Sequence, residues 1–378
     1  MKKSFVCLAV AFGLILFSVS VGAEENLDQR IKDMEGKIKT LEERKAPSEI
    51  LKFLEGLKLN GFVDTSYVYD DNAKSNTFSL DQFEVDIEKT ISDRASLRAD
   101  VNFNKGDEDD GLDFDEIMEQ GYVTYSVPMG SGVDFTFGKF NAPIGFELLD
   151  APDMFQFSHA LVFDYGLPTN LTGLMSALNV GEMIDLSLYI VNGWDESNDN
   201  NKEKTVGGRV GFIPVEGINF GISGIYGPER DDNNGDNLAV IDLDATITTV
   251  ENLIIGVELN YGKEDNTSEK TTGDDTKWFG GLLMAHYDFT DWMGLTLRYD
   301  YFDDKEGSRL GLVAGGNDAG KAVKMNAYTI ASTFTIADGA GCLVEYRYDL
   351  ADEDFFEDAD GDFDDHNHTI AVEFTYSF

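Results

Sequence analysis

The 378-residue chain holds only two cysteines, Cys7 and Cys342. Cys7 lies in an N-terminal segment with the pattern of a removable export signal, which leaves one thiol. A lone thiol builds neither a disulfide framework nor a cysteine metal cluster. Basic residues are scarce as well, with 29 Lys+Arg against 71 Asp+Glu and a net charge of -42. A field of that sign repels phosphates, excludes a nucleic-acid partner and favours cations. Imidazoles are limited to His159, His286, His366 and His368. Ser158 adjoins His159, but sequence neighbours rarely reach nucleophile-base geometry, and no Gly-x-Ser-x-Gly elbow occurs, so no enzyme is expected. The acidic loops also miss the spacing of a calcium loop: with Gly361 at the sixth place Phe356 falls at the first, and with Gly235 there Arg230 does. No metal site and no cofactor are therefore expected.

Long apolar runs are missing beyond the first residues. Nothing after the signal approaches the roughly 18 to 20 apolar residues of a spanning helix. Yet 42% of the chain is hydrophobic and 12% aromatic, too much for a disordered acidic tail. If this chain meets a membrane, it does so with strands.

Lys2 and Lys3, the apolar run from Phe5 to Phe17 and Val21-Gly22-Ala23 outline a secretory signal, residues 1–23, cleaved after Ala23. Residues 24–45 are helical in pattern, with Leu27, Ile31, Met34, Ile38 and Leu41 alternating at four and three. That seam reads either as a short periplasmic coiled coil holding a homo-oligomer, such as a trimer, or as an amphipathic helix docked on its own domain. Residues 46–56 form a linker, broken by Ala46-Pro47-Ser48.

From Leu57 the period becomes two. Phe83, Val85 and Ile87 alternate with Glu84, Asp86 and Glu88, and Leu97, Ala99 and Val101 with Arg98, Asp100 and Asn102. The alternation recurs to the end of the chain in runs of about 9 to 11 residues, the length a tilted strand needs to cross hydrocarbon. Short connectors such as Pro128 to Gly132 and Ala337 to Ala340 take turns with long acidic ones such as Asp195 to Lys204 and Ala351 to Asn367. Short turns on one rim and long loops on the other describe an all-β, transmembrane, antiparallel up-and-down barrel over residues 57–378. About sixteen strands are expected, within a range of fourteen to eighteen. The final strand places Ile370, Val372, Phe374, Tyr376 and Phe378 on one face. Its terminal Phe378 looks like the signal by which the outer-membrane assembly machinery recognises its clients. Tyr67, Tyr69, Tyr122, Tyr125, Tyr261, Trp278, Trp292, Tyr299, Tyr301, Tyr346 and Tyr348 fall near strand ends, as an aromatic girdle or as ordinary cross-strand pairs.

One stretch departs from the hairpin rhythm: Gly138-Lys139-Phe140-Asn141-Ala142-Pro143-Ile144-Gly145-Phe146-Glu147, followed by a long loop with Phe163-Asp164-Tyr165-Gly166. Together with Leu59-Asn60-Gly61-Phe62-Val63-Asp64-Thr65-Ser66-Tyr67, it resembles the OmpL-like family of putative β-barrel porins, from about Leu57 to Phe378. The resemblance implies a channel in the bacterial outer membrane.

With the apolar face toward lipid, the other face lines the lumen. Candidate pore-lining residues are Glu84, Asp86, Glu88, Arg98, Asp100, Arg209, Glu258, Arg298, Asp300, Glu345, Arg347 and Glu373. The arginines either set a transverse field against the carboxylates or merely brace the wall. Residues 142–168 are apolar enough to fold inward as a constriction loop, with Phe146, Asp150, Asp153, His159 and Asp164 as its candidate site residues. The expected function is passive diffusion of small hydrophilic solutes, with a preference for cations. The alternatives are a structural or adhesive barrel with acidic surface loops, or a soluble secreted β-protein. Expected partners are outer-membrane lipid, lipopolysaccharide, the assembly machinery, small ions and copies of the same chain.

Overall fold

No water reaches a strand in hydrocarbon, so its backbone groups are all satisfied only where the sheet closes on itself. The computed structural model shows that closure. It describes residues 54–103, 117–267, 273–310 and 321–378. The expected signal, the helix at 24–45 and most of the linker lie outside the described residues.

The strands are β1 (Leu57–Asp70), β2 (Ser75–Ser92), β3 (Ala95–Asn102), β4 (Met118–Val127), β5 (Val133–Asn141), β6 (Asn170–Val180), β7 (Ile184–Val191), β8 (Thr205–Val215) and β9 (Ile218–Pro228). They continue as β10 (Asn237–Ile247), β11 (Leu253–Glu264), β12 (Thr276–Thr290), β13 (Met293–Asp304), β14 (Val323–Ala337), β15 (Ala340–Ala351), β16 (Phe356–Glu357), β17 (Phe363–Asp364) and β18 (His366–Ser377). β16 and β17 form a small hairpin within a loop; the other sixteen form one closed antiparallel barrel, the number expected. β18 seals it against β1, from Phe62 opposite Ser377 to Asp70 opposite Thr369. The Phe378 amide adds a hydrogen bond of 2.9 Å to the Gly61 carbonyl, and its ring covers Gly61, where any side chain would collide with it.

The two rims differ as the connector lengths predict, except that β1 and β2 are joined by only residues 71–74 on the long-loop side. On the other rim, Glu216-Gly217 and Asp338-Gly339 are two-residue turns. Gly217 and Gly339 take positive φ values of 80° and 75°. Their left-handed backbone is open to glycine without steric cost, and register shifts beside both turns mark β-bulges.

Alternation sorts the wall into two faces. On β13, Leu297 and Tyr299 are exposed outward, while Thr296, Arg298 and Asp300 are buried inward. Tyr125, Tyr261, Trp292, Tyr299 and Tyr346 are exposed on the outer face, as a girdle requires, and Tyr299 and Trp292 also make cross-strand pairs with Tyr328 and Phe334. Trp278 departs from it, being fully buried. Phe279 and Leu283 take the outer face of β12, so period two turns Trp278, Leu282 and Met284 into the barrel. Tyr122 also faces in, packed against the buried cluster around Phe140. Both faces of β12 are apolar, which is why hydropathy alone could not orient it.

A charge on the outer face tests the assignment. Leu297→Arg, near the middle of β13, is expected to cost about 2–4 kcal/mol in lipid vesicles, read from the urea midpoint. An unchanged midpoint would place Leu297 away from lipid.

Candidate functional site

The segment between β5 and β6 is tied at its base and then crosses the bore. Asn170 Nδ2 donates to Asn141 Oδ1 at 2.8 Å, and the amides of Thr169 and Asn170 donate to Asp195 Oδ1 at 2.7 and 2.8 Å. Further along, the Phe146 amide donates to Glu258 on β11 (2.9 Å) and the Ala151 amide to Gln82 on β2 (3.1 Å). The Phe157 amide donates to Glu345 on β15 (2.8 Å), and the Thr296 hydroxyl of β13 donates to the Phe155 carbonyl (2.8 Å). These strands stand at separate places around the wall, so contact with inward side chains on all of them carries the segment across the lumen. A short helix, α1 (Leu161–Gly166), then lies against β11, β12 and β13.

Two cross-strand rows receive it. Arg298 and Arg347 both stand opposite Thr329 of β14, and Thr296 and Glu345 both stand opposite Ala331. Ala327, Thr329 and Ala331 are buried and small, which leaves room for the chain between the two long arginines. Arg298 donates to the carbonyls of Ser158 (2.5 Å) and His159 (2.9 Å), and Arg347 donates to the same His159 carbonyl at 2.8 Å. Each carbonyl is thus satisfied by a charged donor, which is stronger than a neutral hydrogen bond.

Glu147 organises the segment from within. It accepts from Gln156 Nε2 and from the Ala160 amide, both at 2.7 Å, and pairs with Arg298 at 3.0 Å. His159 Nδ1 stands 3.4 Å away, and its ring stacks on Phe163 at 4.0 Å. Apolar packing completes the docking. Ala160 and Val162 join Leu282 and Met284, with Phe146, Phe155 and Phe163 against them. The Phe146 ring occupies the space a side chain at Gly256 would fill. One sector of the lumen is therefore packed rather than wet.

The candidate pore-lining residues divide into three kinds. Arg98, Arg298 and Arg347 hold Asp100, Asp300 and Asp349, two residues on along their own strands, at 2.8 to 2.9 Å. Period two puts residues i and i+2 on one face, so an Arg-x-Asp sequence on a strand builds an ion pair by itself. Arg209 instead reaches across strands to Asp244. A second kind grips the segment: Arg298, Glu258 and Glu345 are buried beneath it and do not face open water, which corrects their placement along a free bore. The third kind is acidic wall. Glu84 is buried and Asp86 half-buried next to Asp100, while Glu373 is buried one strand from Asp64. Glu88 sits toward the short-turn rim, paired with Lys58 at 2.7 Å.

Of the candidate loop residues, Phe146, Asp150 and His159 are half-buried, whereas Asp153 and Asp164 are exposed. Glu147 was absent from the candidates, although it ends the motif that drew attention to this segment. Its partner Arg298 is 151 residues away, a separation no local pattern reports.

A closed sixteen-stranded barrel with an apolar outer face, a charged inner wall and a segment folded across its bore is an outer-membrane barrel of the porin type. The chain belongs to the family described as putative beta-barrel porin-2, OmpL-like, whose model matches residues 56–378. Solved structures share the fold. OmpT, an outer membrane protein of Vibrio cholerae in its trimer form, is similar at TM-score 0.60 and 12% identity, over 85% of this chain and 99% of that one. The outer membrane channel DcaP of Acinetobacter baumannii gives 0.61 and 12%, over 85% and 97%. An anion-selective porin from Comamonas acidovorans gives 0.60 and 11%, over 85% and 99%. No curated protein matches the sequence.

Burial pushes the Glu147 carboxyl up, but the Arg298 guanidinium, His159 and the Ala160 amide outweigh it and hold the carboxyl down at about 2, against an ordinary 4.5. A carboxyl lowered by folding contributes stability above its unfolded value and loses it as pH falls toward the folded one. Glu147→Gln, which leaves Arg298 short of a charge, is expected to cost about 3–5 kcal/mol near neutral pH. The gap in melting temperature between the two proteins should close between about pH 4.5 and 2. A gap of constant size across that window would detach Glu147 from the pairing.

Proposed function

We propose that this porin-family barrel is a passive diffusion channel for small hydrophilic solutes, narrowed by residues 142–169 and preferring cations. One observation carries the preference: the strand-wall arginines Arg98, Arg209, Arg298 and Arg347 are already held by carboxylates, while Asp153 and Asp164 on the crossing segment remain exposed. Fixed charge left over in a narrow aqueous path is negative, and charged rings select the opposite sign. The fold itself does not dictate the sign, since the similar Comamonas acidovorans protein is described as anion-selective. Phe378, seated at the barrel seam, supports a role for the last strand in recognition by the assembly machinery. Export by a cleaved signal belongs to the same reading. The trimer form of the Vibrio cholerae protein supports a homotrimer.

In planar bilayers under a salt gradient, the purified protein is expected to conduct and to give a cation-selective reversal potential. Asp153→Lys combined with Asp164→Lys should move that potential toward the anion side. Absence of current would remove the channel, and an unmoved potential would remove these two residues as the source of selectivity.

A further inference from the structure

The acidic wall between β2 and β4 holds a cluster that the crossing segment completes. Glu84 of β2, Glu119 of β4 and Asp150 of the segment offer carboxylate oxygens that all lie within 4.8 Å of one another. A second trio, Glu84, Asp86 and Asp100, shares Glu84 and meets the same limit. Glu84 is 0% exposed, and neither of its oxygens has a hydrogen-bond partner. One oxygen each of Asp86 and Asp150 is buried without a partner too. The nearby cation does not relieve them, because Arg98 is engaged by Asp100, which also accepts from Gln120 at 2.5 Å.

Carboxylates this close repel unless something positive sits between them. Two neutralisers exist, a shared proton or a metal ion. Hard oxygen donors at this count suit calcium, whose ligands lie at about 2.3–2.6 Å, so that oxygens on opposite sides of one ion are about 4.6–5.2 Å apart. Oxygens within 4.8 Å of one another can all reach one such ion. Three protein carboxylates favour calcium over magnesium, which keeps several waters and is usually held by one or two carboxylates.

We infer that Glu84, Glu119 and Asp150 bind one calcium ion, which fastens the crossing segment to the wall five strand positions around the ring from its Arg298 and Arg347 clamp. The site differs from a loop site in kind. Its ligands come from two strands and one inward segment, so the site forms only in the closed barrel and reports the seating of residues 142–169. The inference does not depend on conductance, because binding is read on the detergent-solubilised full chain.

The test is calorimetric titration of Ca2+ into EDTA-treated protein, alongside thermal melting with and without the ion. Exposed acidic loops bind calcium weakly, so an Asp358→Asn, Asp360→Asn double variant serves as the comparison. Wild type and that variant are expected to show one saturable site per chain and a raised melting temperature with Ca2+. Glu84→Gln and Asp150→Asn should each weaken the site at least tenfold and abolish the rise. Asp150 lies outside every strand, so its variant keeps the test decisive if Glu84→Gln does not fold. A wild type without a saturable site, or equal binding in Asp150→Asn, overturns the proposal and leaves a shared proton as the neutraliser.

Discussion

Pairing of the backbone against lipid governs everything else in this molecule. An open sheet edge in hydrocarbon leaves each N–H and C=O at a cost of several kcal/mol, so sixteen strands are stable there only as a ring. The seam between β1 and β18 is where that ring is completed, and the Phe378 amide extends the seam past the last ladder pair to Gly61. Closure then forces alternate residues to opposite environments, which is why Leu297 and Arg298 can be neighbours in sequence and have nothing else in common.

A ring of this size encloses more space than its own side chains fill. The chain supplies the filling from its longest described inward excursion, and the fastening is electrostatic where it is central and apolar where it is lateral. Arg298 is the hinge of this arrangement: it joins Asp300 of its own strand, Glu147 of the segment and two segment carbonyls. A buried guanidinium with that many acceptors is fully compensated, and removing any one carboxylate exposes the cost of its burial. The wall of β2 to β4 is the contrary case. There neither Glu84 oxygen has a hydrogen-bond donor although other carboxylates crowd it, and the imbalance points to a cation that the sequence composition could only hint at.

Much of the fold was legible before the structure. Sixteen strands follow from period two and from the rhythm of short and long connectors, because lipid on one side and a polar interior on the other write the alternation into every strand. The alternation failed where the interior is itself apolar. Trp278 and Tyr122 read as girdle residues, yet they face inward, where Trp278 meets Trp194, the Arg309 guanidinium and Asn260 and Tyr122 packs against the buried cluster around Phe140. The ion pairs of Arg98, Arg298 and Arg347 were legible in principle, since Arg-x-Asp on a strand needs no partner from elsewhere. The buried fate of Glu258, Glu345 and Arg298 was not, because it depends on where residues 146 and 155–160 come to rest.

The sequence by itself therefore determined the class of fold, the two faces of most strands, the excess of negative charge and the presence of an exceptional segment after β5. These are local properties, set by period, composition and spacing along one strand or turn. Only the tertiary structure decided what that segment touches, that Glu147 meets Arg298, and that Glu84, Glu119 and Asp150 share a few ångströms of space. Those contacts join residues dozens to hundreds of positions apart, and closure of the barrel, rather than any nearby pattern, brings them together.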